Sequence, residues 1–173
     1  RKISAPGKYS GYSPVLYSEA ITTSVYFKAR DGVRLAMDIH RPAVNGKPVE
    51  TPYPVVWQHA AARRIAPDQR VSAVRQMPEL TKFGYVVVEV DRRGLGASFG
   101  TRRGYNDRTE ARDAFDVTEW LAAQPWSNGK VGVYGCSNTG DAAMHAISRM
   151  PPHLKAIFAG CFSWIKYDGF LRG

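Results

Sequence analysis

Residues 134–140 read Tyr-Gly-Cys-Ser-Asn-Thr-Gly and follow the apolar run Lys-Val-Gly-Val at 130–133. Ser137 therefore sits in a Gly-x-Ser-x-x-Gly turn between a short apolar strand and a helix. A sharp strand-to-helix turn lifts a serine hydroxyl clear of the sheet, where it can attack a carbonyl. The backbone is crowded in such a turn, so residues without bulk are needed around it, here Gly135 and Gly140. The helix that follows aims its free N–H groups and positive dipole end at an oxyanion forming over the serine. The backbone N–H of Asn138 is the first expected donor. The commoner Gly-x-Ser-x-Gly spacing would put glycine where this chain has Thr139, so on pattern alone a purely structural turn stays open. Cys136 is a rival nucleophile, but it points the wrong way if Ser137 crowns the turn.

The second oxyanion donor is expected from the loop after the first parallel strand, Gln-His-Ala-Ala-Ala-Arg-Arg at 58–64. A backbone N–H near Ala60 is the candidate, with His59 and Ala62 beside it. His59 is read as a loop histidine that orders the backbone. It is not read as the base, because in such hydrolases the histidine follows the serine in the chain. After Ser137 come only His145, His153, Asp141 and Asp168. His145 lies on the serine's own helix, too close in sequence to swing back over it. His153 follows Pro151-Pro152 at the opposite end of the sheet. Asp141 complements the helix dipole. Asp168 follows the last apolar run at the serine's end, where some α/β hydrolases place their acid. Asp91 precedes the serine and is read as a structural partner of the Arg-Arg-Gly turn. The expectation is a nucleophile and part of an oxyanion hole without a complete triad.

These residues must be held by a sheet. Runs at 54–58, 85–90, 130–134 and 155–160 are short and continuously apolar, as in parallel strands buried on both faces. Residues 69–82 have a weak helical period, interrupted by Pro78. Residues 107–124 have a strong one, opening with Asp107-x-x-Glu110 as a capping box. Its stripe is Ala111, Ala114, Phe115, Thr118, Leu121 and Ala122. A third helix, about 139–149, puts Gly140, Ala143, Met144 and Ile147 on one face. Ahead of these, 24–29 and 33–42 flank Asp31-Gly32, a hairpin signal, with Leu35, Met37 and Ile39 alternating. Residues 1–20 read as an extended arm laid across a surface. Strand alternating with helix predicts an α/β domain over 21–173, mostly parallel, with the antiparallel hairpin at one edge.

The chain has 173 residues and a formal net charge of +9, which invites nucleic acid as a partner. The arginine pairs at 63–64, 92–93 and 102–103 are scattered and build no long basic face, so no nucleic-acid partner is expected. No apolar run approaches the roughly 20 residues of a membrane span. Cys136 and Cys161 are too few for a disulfide scaffold and belong to no metal-ligand pattern, and each ends an apolar run, so buried free thiols are expected. No metal or organic cofactor is expected. The first residue is Arg1, which suggests removal of something upstream, with export favoured.

The chain resembles the cocaine esterase and α-amino-acid ester hydrolase group, related to X-Pro dipeptidyl-peptidases and glutaryl acylases. The matching stretches are RDGVRLAMDIHRP at 30–42, PVVWQH at 54–59, DRRGLGASFG at 91–100, the Glu110…Asp113 helix, and TEWLAAQPWSNGKVGVYGCS at 118–137. The resemblance accounts for the glycine three residues after the serine. It implies the N-terminal part of an α/β-hydrolase and a serine esterase or amidase that works through an acyl-enzyme on Ser137. Histidine, aspartate, cap and C-terminal β-sandwich are expected from a downstream segment or a second chain, for example after nicking of a precursor near 173. In register, the family's oxyanion tyrosine falls on Ala62, and Asn138 stands where an aromatic residue is usual. An acyltransferase on the same scaffold, or a non-catalytic subunit, remains the alternative.

Overall fold

The computed structural model describes residues 3–11, 13–60, 78–104 and 107–162. In chain order the elements are β1 (Ile3–Ala5), β2 (Lys8–Ser10), β3 (Glu19–Lys28), β4 (Arg34–Val44), β5 (Lys47–Pro48), β6 (Tyr53–Ala60), a 3-10 turn (Pro78–Phe83), β7 (Val86–Asp91), α1 (Arg108–Ala122), β8 (Ser127–Cys136), α2 (Asn138–Ile147) and β9 (Leu154–Gly160). The described strands from β3 onward form one sheet in the order β3-β4-β7-β6-β8-β9, with β5 beside β4. β3, β4 and β7 pair antiparallel, whereas β7, β6, β8 and β9 run parallel. The hairpin thus extends one edge of a mostly parallel sheet.

The central runs are strands for the reason their composition suggests. Val55, Trp57, Val86, Val87, Val88, Val90 and Val131 are each exposed at 1% or less, as side chains on both faces of a covered parallel sheet must be. α1 and α2 pack against each other and both against β6 and β8. The expected stripe of α1 is buried at Ala111, Ala114, Thr118 and Leu121. Val117 joins the core, while Phe115 lies at the flank under the Arg30 guanidinium, 5.7 Å from its ring centre. On α2 the buried face is Thr139, Gly140, Asp141, Ala142, Ala143 and Ala146. Ile147, expected on that face, is 39% exposed.

Several readings are corrected. Asp107 does cap α1, its carboxylate accepting from the Thr109 N–H at 2.8 Å. Glu110 completes no capping box: its carboxylate is buried and takes the Arg102 Nε–H at 2.5 Å. The run 155–160 is not buried on both faces. It lies in β9, the edge strand among the described residues, with Phe158 59% exposed and stacked on Tyr134 at 5.1 Å between ring centres. Residues 3–10 form a small antiparallel pair, and Leu16 and Tyr17 donate their N–H groups to the Lys82 carbonyl at 2.7 and 3.1 Å. Apart from the 3-10 turn, the segment expected as a helix over 69–82 lies outside the described residues, as do Ala62 and Asp168.

Candidate active site

The carboxyl ends of β6, β7, β8 and β9 converge on one place. In open α/β sheets the crevice beyond those ends is where ligands bind. β8 ends at Cys136 and α2 starts at Asn138, leaving Ser137 alone at the turn with φ 58° and ψ −124°. That backbone conformation is one L side chains rarely adopt, and strain of this kind collects at functional positions. The turn is pinned from both sides. Ser137 N–H donates to the Gly160 carbonyl at 2.9 Å, and Asp141 N–H donates to the Ser137 carbonyl at 3.0 Å. The main chain is therefore fixed while the side chain makes no cap hydrogen bond and Ser137 is exposed.

Both flanking glycines are dictated by sterics. A Cβ on Gly135 would overlap the Thr139 carbonyl, and one on Gly140 would overlap the Gly160 carbonyl. Thr139, the departure from the commoner spacing, has its own part. Its hydroxyl accepts from the Cys136 N–H and donates to the Cys136 carbonyl, each at 2.9 Å, and also accepts from Gln58 Nε2 at 3.3 Å. A glycine at 139 could not make this staple. Cys136 is half-buried and Cys161 exposed, so the expected burial of both thiols is corrected. The two thiols adjoin, and contact with Cys161 followed by burial pushes the Cys136 thiol up.

Asn138 opens α2, so its N–H lies outside the helix's own hydrogen-bond ladder. Its carbonyl takes Arg92 Nη2–H at 2.5 Å. His59 and Ala60 belong to β6, which runs further than expected, and not to a loop. The Ala60 carbonyl accepts the Arg92 N–H at 2.9 Å. The His59 ring is 1% exposed and packs on Trp57 with ring centres 5.4 Å apart. Neither ring nitrogen finds a hydrogen-bond partner among the described residues, which corrects the picture of a hydrogen-bonding loop histidine.

Arg92, Arg93 and Glu110 are the important side chains that pattern reading missed. Their signal was present: two arginines directly after a continuously apolar strand must diverge to opposite sides. Arg93 turns away from the serine and binds Asp113 at 2.7 and 2.9 Å and Asp31 at 2.8 and 3.2 Å, so Asp31 anchors the hairpin turn to α1. Arg92 turns inward. Glu110, 1% exposed, lies 3.7 Å from both Arg92 Nη1 and His145 Nδ1. Burial pushes the Glu110 carboxyl up, but His145, Arg92, His59 and Arg102 together hold it below the usual glutamate range. Asp91 closes the loop that follows β7, its carboxylate accepting the Ala97 N–H at 2.9 Å.

All four histidines of the chain are described, and none is bonded to Ser137. His40 meets Thr22 at 2.7 Å across β3 and β4, and His153 meets Glu119 at 2.7 Å. His153 directly precedes β9, at the opposite end of that strand from Gly160, whose carbonyl holds the Ser137 N–H.

One pH dependence follows. Burial first, then the Arg92 charge, lowers His59 to a pKa of about 3. The unfolded chain takes up this proton near pH 6.5 and the folded chain does not, so acid favours unfolding. Stability should fall by up to about 1.4 kcal/mol per pH unit as pH drops from about 6.5 toward about 3. Glu110, also lowered, adds its loss only below the ordinary glutamate value of 4.5. Between about 6.5 and 4.5 the fall belongs to His59, while Asp113, raised by burial, acts in the opposite direction where it titrates. Urea midpoints across that range should slope in the parent and flatten in His59→Gln.

Comparisons with known proteins bear on the family and the fold. The family profile described as X-Pro dipeptidyl-peptidase (S15 family) matches residues 31–173. A Mycobacterium bovis protein named as a serine esterase is 33% identical across an alignment of 173 positions that covers 92% of this chain and 27% of that protein. The cocaine esterase of Rhodococcus is 33% identical over 138 residues, 80% of this chain and 23% of that enzyme. Among solved structures, a CocE/NonD family hydrolase from Staphylococcus aureus superposes with a TM-score of 0.65 at 28% identity, covering 81% of this chain and 27% of that one. The sheet is that of the α/β-hydrolases, and the chain spans about a quarter of the length of these relatives.

Proposed function

We propose, from the premise that this chain belongs to the X-Pro dipeptidyl-peptidase (S15) family, that it carries the nucleophile of a serine esterase or amidase. The observation that supports this most is Ser137 itself: an exposed hydroxyl with no cap hydrogen bond, on a strained backbone, at the mouth of α2. The turn acts as a nucleophile elbow. Ser137 Oγ attacks the carbonyl carbon of an ester or amide while a base takes its proton. The tetrahedral oxyanion is held by the Asn138 N–H and by a second donor at the end of β6, near Ala60. Collapse expels the alcohol or amine with a proton, leaving an acyl-serine that water then hydrolyses.

The base and its orienting carboxylate come from polypeptide outside these residues, either downstream in the same protein or on a second chain. Two facts support this. His59 is buried and held neutral, and His40, His145 and His153 are turned to other partners or lie at the wrong end of the sheet. The relatives are about four times as long as this chain. Ala62 is proposed to contact the substrate, and His59, 1% exposed, to support the end of β6 from inside the fold.

The reading is tested on the intact protein with an ester substrate and an alkyl phosphonate. Ser137→Ala should retain the fold, lose turnover and resist inactivation by the phosphonate. Turnover that survives in Ser137→Ala removes the proposal.

A further inference from the structure

β6 and β8 are hydrogen-bonded neighbours only as far as Trp57 and Val133. Beyond that pair β6 stays with β7 through Ala60, and β8 stays with β9 through Cys136. A gap therefore opens between Gln58–Ala60 and Tyr134–Cys136, and the turn with Ser137 and the Asn138 N–H stands at its mouth. No ladder bond fixes its width.

We propose that Arg92 is the positioning residue that sets this width, and with it the direction of the Asn138 N–H. Its Nε–H donates to the His59 carbonyl at 3.2 Å on one side of the gap, and its Nη2–H donates to the Asn138 carbonyl at 2.5 Å on the other. Its own main-chain N–H holds the Ala60 carbonyl at 2.9 Å. The guanidinium thus ties the last peptide of β6 to the first turn of α2, while the main chain of the same residue holds the peptide that follows. The Ala60 N–H lies on the opposite side of its trans peptide from the His59 carbonyl, in the ladder with β7, so the group this grip aims is the Asn138 N–H, one peptide before the Asn138 carbonyl. Fixing the Asn138 carbonyl against the end of β6 fixes the direction of the Asn138 N–H.

Arginine suits this place for a physical reason. Its guanidinium is a rigid fork with donors in fixed directions, whereas a lysine ammonium is a point charge on a flexible stem and cannot span two carbonyls. The cost of burying the charge is offset by Glu110 at 3.7 Å, both side chains being exposed at 2% or less. The Gln58–Thr139 contact at 3.3 Å is the only other side-chain tie across the gap among the described residues. It is longer, and it reaches the staple of the turn, not the Asn138 peptide.

This inference rests on Ser137 being the nucleophile, so the test separates the two. In the intact protein, Arg92→Lys and Arg92→Gly are compared with the parent for kcat, KM and the rate constant of phosphonate labelling. The final extent of labelling counts folded sites, so partial unfolding does not imitate a slow site. The expected result for Arg92→Lys is a kcat lower by about 10²-fold, as for an oxyanion donor moved out of place, with KM within about threefold. The labelling rate should fall in parallel, and added guanidinium should restore part of the rate in Arg92→Gly. If both variants label at the parent rate per folded site and differ only in urea midpoint, Arg92 is merely structural and the inference is overturned. If guanidinium restores stability but no rate, it is overturned as well. Turnover in Ser137→Ala would instead remove the underlying reading and leave the Arg92 contacts without a catalytic purpose.

Discussion

Ser137→Gly is expected to make the chain more stable and to abolish its turnover. At φ 58° and ψ −124° Ser137 occupies backbone space that costs an L residue about 1–3 kcal/mol and glycine nothing. Glycine gives back about 0.5–1 kcal/mol because its unfolded state is freer. The net gain is about 1 kcal/mol. No contact is sacrificed, since the hydroxyl makes no cap hydrogen bond. Activity is expected to drop by about 10⁴-fold or more, the scale seen when a nucleophile is deleted from a working triad. Urea unfolding and initial ester rates, both measured on the intact protein, check both halves. A variant that is less stable than the parent would mean that the strain at 137 is compensated by something other than function.

Gly135→Ala is expected to have the largest effect on folding. The added Cβ meets the carbonyl of Thr139 and the N–H of Gly140, which are backbone groups on the far side of the turn and cannot step aside. Overpacking that a side chain can absorb costs about 1–3 kcal/mol, and a backbone-on-backbone clash should exceed it at about 3–5 kcal/mol. Relief requires the turn to open, which breaks the Thr139 hydroxyl staple at both Cys136 groups and carries Ser137 away from Gly160. Turnover therefore falls even in the fraction that folds. Urea unfolding gives the first quantity, and phosphonate labelling per folded site the second. A stable Gly135→Ala that labels normally would contradict the described turn. Gly140→Ala, blocked by the Gly160 carbonyl of β9, should behave similarly.

The sheet was legible because its central strands are continuous apolar runs, a pattern that survives without knowledge of their neighbours. Strand order was not, since pairing is non-local: nothing in Leu154–Gly160 itself says that this strand lies at an edge among the described residues. The serine turn was legible from its two glycines, whose spacing reflects two backbone collisions. The meaning of Thr139 was hidden, because its hydroxyl works on Cys136 and Gln58, one of them far away in the chain. Glu110 fitted a local capping pattern and obeyed a tertiary one, drawn inward by Arg92, Arg102 and His145. Likewise His59 looked like a loop residue because an apolar count stops at Trp57, while the parallel ladder with β7 continues through Ala60. Buried charge and polar strand ends are settled by partners, and partners are what a linear pattern does not contain.

The central claim is that the covalent chemistry of this protein passes through one hydroxyl. The most direct test is a peptide map of the intact protein after inactivation by an alkyl phosphonate, read by mass spectrometry. The account predicts a single phosphonyl group on the peptide that contains Ser137, formed in step with the loss of ester turnover. A phosphonyl group on another residue that tracks the loss of activity, with Ser137 unmodified, would contradict it.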